Sequence, residues 1–303
     1  MPGDERIVEV AKPGVYLRLE NQRLCIEQDD QRLGEVPLCD LAALILSSPQ
    51  ATLSRAVLDA ITQQGGSVIV CDQDHQPTAM LLPLIGHHAQ TQRLIAQAKA
   101  PLPRQKQVWK QLVQCKVRAQ AAVLEAVHGK DSGLREIAKK VRSGDPSNVE
   151  GWAAQRYWPA LMGKSFRRRR EGFAPNSSLN YGYAILRAAA ARAIAATGLH
   201  PTLGVNHSSR TNPLCLADDL MEPFRPVVDR LVTQLPKSTH SALDAERRAK
   251  LSACLTYRIE HEGESRTVSD WLFRAAASLS AVYLEQRKDL LLPSGLEHGT
   301  SYS

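Results

Sequence analysis

No two cysteines in this chain are spaced C-x-x-C: Cys25, Cys39, Cys71, Cys115, Cys215 and Cys254 are scattered over 303 residues. In a chain of this size such spacing speaks against a thiolate zinc site or a disulfide framework, and reduced thiols filling cores are expected. Long apolar runs are missing too. The Ala-rich YAILRAAAARAIAAT is broken by Arg187 and Arg192, so it cannot serve as a bilayer span. The opening MPGDERIVEVAKPG carries acids and prolines where a signal peptide has its apolar run. A cytoplasmic protein with no membrane role is expected. Also absent are a G-x-x-x-x-G-K-[ST] loop, a G-x-G-x-x-G after a strand and a G-x-S-x-G elbow, so nucleotide hydrolysis, hydride transfer and serine hydrolysis lack their usual parts. Metal-assisted phosphodiester chemistry remains. No internal repeat is present, and the only low-complexity tract is RRRR at 167–170.

Positive charge is in surplus. The chain has 38 Lys and Arg against 31 Asp and Glu, a net charge of +7, which fits a polyanionic partner such as nucleic acid. The first part reads as strands. In VYLRLENQRLCIEQ the apolar positions Val15, Leu17, Leu19, Leu24 and Ile26 alternate around a polar turn, the pattern of a hairpin with one wet face. TLSRAVLDAITQQGG predicts a helix closed by Gly65 and Gly66, and SVIVCD a short buried strand. From about His87 the spacing turns helical. Trp109, Leu112, Val113 and Val117 mark one apolar face, and Leu272, Leu279 and Val282 another. APLPRQ at 100–105 follows the start of that pattern, so the boundary is placed before it. The expected architecture is α+β: a small β-rich N-terminal domain over 1–86, then a larger, predominantly α-helical domain over 87–303.

The candidate chemistry gathers in NHSSRTNPLCLADDLMEPFRP, where His207, Asp219 and Glu222 lie close together with Arg210 and Arg225. If LADDLMEPF starts a helix, Asp219 and Glu222 at i and i+3 project from one face, where two carboxylates repel unless a cation lies near them. Asp219 as an N-cap with Glu222 in the first turn explains the same spacing equally well. His207, on a loop entering that helix, reads on its own as structural or exposed. Upstream, Ser147 with Glu150 three residues on is a literal S-x-x-E capping box. That carboxylate can serve a metal and a helix terminus together. The run KSFRRRREGF supplies Lys164, Arg167, Arg168, Arg169 and Arg170 between Phe166 and Phe173, a composition that favours phosphate contact.

The order NVEGWAAQRYW, NSSLNYGYAILRA, GLHPTLGVNH, LADDLMEPFRPVVD closely resembles the CRISPR-associated spacer-acquisition integrase, above all in systems whose effector is a single large RNA-guided nuclease. The resemblance runs through the whole chain and implies the α+β architecture just described. It implies one divalent cation, Mg²⁺ or Mn²⁺, held by Glu150, His207 and Glu222, with Asp219 an auxiliary acid close to it. Some relatives carry Asp where this chain has Glu222. The implied activity is metal-dependent cleavage and strand transfer, joining the 3′-hydroxyls of short foreign DNA fragments to the CRISPR array. The implied partners are double-stranded DNA, a second copy of the chain through the β-rich domain, a small ferredoxin-like adaptation protein and the effector nuclease. Arg210 and Arg225 are placed for phosphate or for holding the carboxylates. A structure-specific DNA repair nuclease would use the same site, and a non-catalytic DNA-binding scaffold would explain the charge alone.

Overall fold

The structure is a computed structural model and describes residues 6–75, 77–169, 172–236, 243–294 and 296. Its first part contains strands β1 (Arg6–Val10), β2 (Val15–Glu20), β3 (Arg23–Gln28), β4 (Gln31–Pro37), β5 (Leu41–Leu46) and β6 (Thr52–Leu53). Helix α1 (Arg55–Gln63) and strands β7 (Ser67–Cys71) and β8 (Pro77–Leu81) complete it. The expected hairpin is β2–β3, antiparallel from Val15 opposite Gln28 to Glu20 opposite Arg23. Its turn residues Asn21 and Gln22 both have positive φ, 49° and 60°, the backbone a two-residue turn needs to match strand twist. Val15, Leu17 and Leu24 face inward, while the other face carries ion pairs such as Arg18–Glu27 at 2.9 Å and Arg23–Glu35 at 2.8 Å.

One sheet has the order β4-β3-β2-β6 and the other β1-β5-β7-β8, in which β5 runs parallel to both β1 and β7. The second sheet is covered on both faces, which is why LAALIL and SVIV read as continuous apolar runs. Leu41, Leu44 and Val68 join Leu17, Leu24, Val57 and Ile61 between the sheets and α1. Ala43, Ile45 and Ile69 belong to the larger core of the helical part.

That helical part comprises α2 (Gln90–Ala98), α3 (Leu102–His128), α4 (Leu134–Lys139), α5 (Val149–Met162), α6 (Asn176–Ala196), α7 (Cys215–Leu220), α8 (Arg225–Thr233), α9 (Ala245–Ser252) and α10 (Val268–Tyr283). A small hairpin, β9 (Arg258–His261) with β10 (Glu264–Thr267), precedes α10. The α+β class read from the sequence is the one observed. Pro101 stands just before α3, where a missing N–H costs nothing. The 27-residue α3 buries Trp109, Leu112, Val113 and Val117, the face expected from spacing. Arg248 of α9 and Glu9 of β1 pair at 2.6 Å across the two parts. All six cysteines are free; Cys25, Cys115, Cys215 and Cys254 are buried and Cys39 is exposed. Among the described residues no helix is long and apolar enough to cross a membrane.

Helix α6 passes α8 at close range. A Cβ at Gly182 would stand 2.4 Å from Cγ1 of Val228, well inside van der Waals contact. Gly182→Ala is therefore expected to force the two helices apart and to cost about 1–3 kcal/mol. Urea unfolding of the two proteins measures this, and equal midpoints would show that the helices yield freely.

Candidate metal centre

Helix α5 is capped differently from the S-x-x-E reading. Asn148, with φ of 49°, is its N-cap and accepts the N–H of Gly151 at 3.2 Å. The Asp145 carboxylate takes the N–H groups of Val149 and Glu150, both at 2.9 Å. Ser147 therefore has no capping role. The helix-end donors are satisfied without Glu150, whose carboxylate turns toward α3. There Glu150 Oε1 lies 2.5 Å from Lys116 Nζ, and the same nitrogen lies 2.6 Å from Glu222 Oε2. Glu222 opens a 3-10 turn, Glu222–Phe224, and is only 3% exposed. Its other oxygen is 3.0 Å from Arg225 Nε. Burial would raise the Glu222 carboxyl, but Arg225 and Lys116 outweigh it and hold its pKa below the ordinary value. Burial likewise disfavours the Lys116 ammonium, yet Glu222 and Glu150 keep its pKa above the ordinary one.

The second correction concerns Asp219. It lies near the end of α7 rather than at a helix start, so it is no N-cap. Fully buried, it faces the loop before α7 and accepts the backbone N–H groups of Val205 at 2.6 Å, Asn206 at 2.9 Å and His207 at 3.2 Å. It also holds His207 Nδ1 at 2.6 Å. That hydrogen bond raises the His207 pKa against the opposing effect of burial. The imidazole lies on a loop, as expected, with its side chain 47% exposed. Trp109 meets it edge-on at 5.7 Å between ring centroids. Gly204 allows the tight loop, since a Cβ there would come within 2.2 Å of the His207 carbonyl oxygen.

Among the described residues no three His, Cys, Asp or Glu side chains stand together as a metal-binding group. Two of the three expected ligands, Glu150 and Glu222, do converge on one cationic point. Glu222 Oε2 is buried, and its contact there is the ion pair with Lys116. An oxygen pair aimed at a single cation is a hard donor set of the kind Mg²⁺ and Mn²⁺ prefer, and an imidazole beside it leans toward Mn²⁺. His207 is near enough that its charge lowers the Glu222 pKa, and its Nδ1 is engaged by Asp219. The residues present fit such an ion.

Beside the centre opens a cleft of about 590 Å³, lined in part by Arg168, Tyr183, Arg187, His207, Asn212 and Arg225. Arg168 was expected to track DNA from a loop, but it packs inward. It donates to Asn180 Oδ1 at 2.6 Å and to Asn176 Oδ1 at 3.1 Å, and it stands 5.2 Å from the Tyr183 ring. Arg225 covers the same ring at 4.8 Å. Lys164, Arg167, Arg169 and Arg210 are exposed, and Arg170 lies outside the described residues. Of the two flanking phenylalanines, Phe166 rests on Trp158 at 5.4 Å and Phe173 is 81% exposed. Arg187 pairs with Asp218 at 2.7 Å.

The family model described as "CRISPR associated protein Cas1" matches residues 8–271. The chain belongs to the Cas1 family. The CRISPR-associated endonuclease Cas1 of Neisseria meningitidis serogroup C (strain 8013) is 38% identical over 225 residues, 73% of each chain. CRISPR-associated endonuclease Cas1 2 of Pyrobaculum aerophilum is 28% identical over 90% of this chain and 97% of its own length. In fold, this Cas1-family chain resembles a casposase bound to integration product, with a TM-score of 0.77 at 19% identity over 98% of this chain and 96% of that one. A Cas1 protein from Thermotoga maritima gives a TM-score of 0.70 at 18% identity over 93% and 98% of the two chains.

Sequence reasoning missed Lys116, although a signal for it exists. It falls in the apolar stripe of α3 between Val113 and Val117, where a lysine needs a buried partner. It also missed Asp229, which receives the O–H groups of Tyr157 at 2.9 Å and of Tyr183. Burial pushes the Asp229 carboxyl from 3.8 up to about 6, against the tyrosine hydrogen bonds that lower it. A carboxyl with a raised folded pKa contributes stability below its unfolded pKa and loses it as pH climbs through the folded value. The stability of wild type relative to Asp229→Asn should accordingly fall by up to about 3 kcal/mol between roughly pH 4 and 7. Urea midpoints across that range test it; a difference that does not change with pH contradicts it.

Proposed function

We propose that this chain is a divalent-metal-dependent DNA endonuclease and integrase of CRISPR adaptation, joining the 3′-hydroxyl ends of short foreign DNA fragments to the CRISPR array by transesterification. The observation that carries this reading is the convergence of Glu150 and Glu222 on one cationic point beside His207, in a chain of the Cas1 family. Glu150, Glu222 and His207 would hold Mg²⁺ or Mn²⁺, which supplies Lewis acidity toward a phosphodiester and lowers the pKa of a bound hydroxyl. Asp219 fixes the His207 ring and its tautomer by taking Nδ1–H, which leaves Nε2 to face the site. Arg225 holds Glu222 in its rotamer while stacking on Tyr183. Lys164, Arg167, Arg169, Arg170 and Arg210 supply positive charge for the DNA backbone, and Arg168 and Arg225 do so from the cleft wall. Such contacts position DNA without reading its sequence.

The reading extends to partners. A Cas6-RT-Cas1–Cas2 complex is among the solved structures of similar fold, with a TM-score of 0.67 at 18% identity. For this chain we propose a homodimer through residues 1–86, a domain distinct from the catalytic 87–303, and association in the cytoplasm with a small ferredoxin-like adaptation protein and the effector nuclease.

The deciding experiment joins a short duplex to a supercoiled plasmid in Mg²⁺ or Mn²⁺, with and without the small partner. Wild type is expected to join. Glu150→Gln, Glu222→Gln and His207→Ala should each lose more than the roughly 10–100-fold typical of residues that only support a ligand. Cleavage without joining would favour a repair nuclease, and a gel shift alone a scaffold. Separately, changing Lys164, Arg167, Arg169 and Arg170 to Ala should weaken binding to every duplex by a similar factor. The slope of log K against log salt should become shallower by up to about 0.9 per lost contact. Unchanged affinity and slope would mark the run as solvent-facing only.

A further inference from the structure

Lys116 is held firmly where it stands. Its neighbours in α3, Cys115 and Val117, are fully buried. Its own side chain is 13% exposed, and Nζ lies 2.5 Å from Glu150 and 2.6 Å from Glu222. With Arg225 on the other Glu222 oxygen, the carboxylates Glu150 and Glu222 are balanced by two cations of the chain itself. Hard divalent ions hold carboxylate oxygens at about 2.0–2.1 Å for Mg²⁺. Oxygens that already share an ammonium at 2.5 and 2.6 Å have no room for a second cation at the same point, so the two occupants exclude each other. An ion added while Lys116 stays close would put two positive centres in a half-buried place of low dielectric, where repulsion is strong. A DNA phosphate removes that conflict: it brings negative charge to the ion and gives the displaced ammonium a new partner.

We propose that Lys116 is a tethered counter-cation of the acidic pair, displaced only when a divalent ion and a DNA phosphate arrive together, so that metal affinity in the free protein is low and is coupled to DNA. This rests on the metal-dependent reading above and deepens it, because it gives a residue of α3 a part in deciding when the centre loads. The ammonium keeps Glu150 and Glu222 together between reactions and then moves to the phosphate. No bond to carbon or phosphorus is made or broken by it.

The test is Mn²⁺ binding, followed by calorimetry and by the loss of the free Mn²⁺ signal in electron paramagnetic resonance. It uses full-length wild type and Lys116→Gln, each with and without a short duplex ending in 3′-deoxynucleotides so that no joining follows. Wild type is expected to bind Mn²⁺ weakly alone and at least tenfold more tightly with the duplex. Lys116→Gln should bind at least tenfold more tightly than wild type without DNA and gain less from the duplex. Equal Mn²⁺ affinities for the two proteins, or a wild-type affinity indifferent to DNA, would overturn the proposal. If Lys116→Gln does not fold, Lys116→Met, which keeps the aliphatic stem and removes the charge, takes its place in the same comparison. Absence of Mn²⁺ binding in every protein, duplex included, would instead bring down the metal-dependent reading itself and this inference with it.

Discussion

Two carboxylates from different parts of the chain meet in a nearly buried place, and they do so around an ammonium from a third part. Glu150 comes from the first turn of α5, Glu222 from the 3-10 turn after α7, and Lys116 from the middle of α3. Unpaired, each of these charges would cost several kcal/mol to remove from water. Paired, they constrain three elements to one mutual position, and Arg225 extends the constraint into α8. Much of the helical part around it supports this meeting. Asp145 and Asn148 cap α5 so that Glu150 is released from the helix end. Gly182 lets α6 approach α8. Tyr157 and Tyr183 hold Asp229, and the Tyr183 ring carries the Arg225 guanidinium.

The histidine is positioned by separate means. Asp219 gathers three consecutive backbone N–H groups and the imidazole Nδ1 on one carboxylate, which fixes both the path of the loop and the face the ring presents. Trp109 limits the ring from the other side. The acids Asp219 and Glu222, three residues apart, thus divide the work: one organises backbone and imidazole, the other pairs with Lys116 and Arg225. The division follows from where each residue falls, Asp219 within α7 and Glu222 in the tighter turn after it, so that their side chains diverge.

The surface around this centre is less uniform than its composition. Within a single run of arginines, Arg168 is drawn inward by Asn176, Asn180 and the Tyr183 ring, while Arg167 and Arg169 stay exposed. Arg168 and Arg225 share one aromatic ring, so the cleft wall and the Glu222 carboxylate are mechanically linked through Tyr183. A cation on the wall of a site and a cation on a free loop differ in reach and in desolvation, and only the first acts at a fixed distance from the acidic pair.

The sequence by itself determined that a β-rich part precedes a helical one and which faces several of their elements bury. The β2–β3 hairpin, α1, the buried strand β7 and the apolar face of α3 follow from periodicity, turn residues and apolar runs, which are properties of neighbours along the chain. His207, Glu150 and Glu222 were legible as a set only through the resemblance of four ordered segments to a known family. Tertiary structure decided the partners. Ser147 lost the α5 cap to Asn148 and Asp145, because the chain before α5 brings the longer carboxylate acceptor to two N–H groups at once. Asp219 proved a loop clamp, since α7 begins upstream of it and turns its side chain toward residues 205–207. Lys116 looked like a polar interruption in an apolar stripe, and its meaning appeared only when α5 and the 3-10 turn were folded against it. A local pattern fixes whether a side chain points inward. Which charge it meets there depends on contacts between segments distant in sequence, and those exist only once the chain has packed.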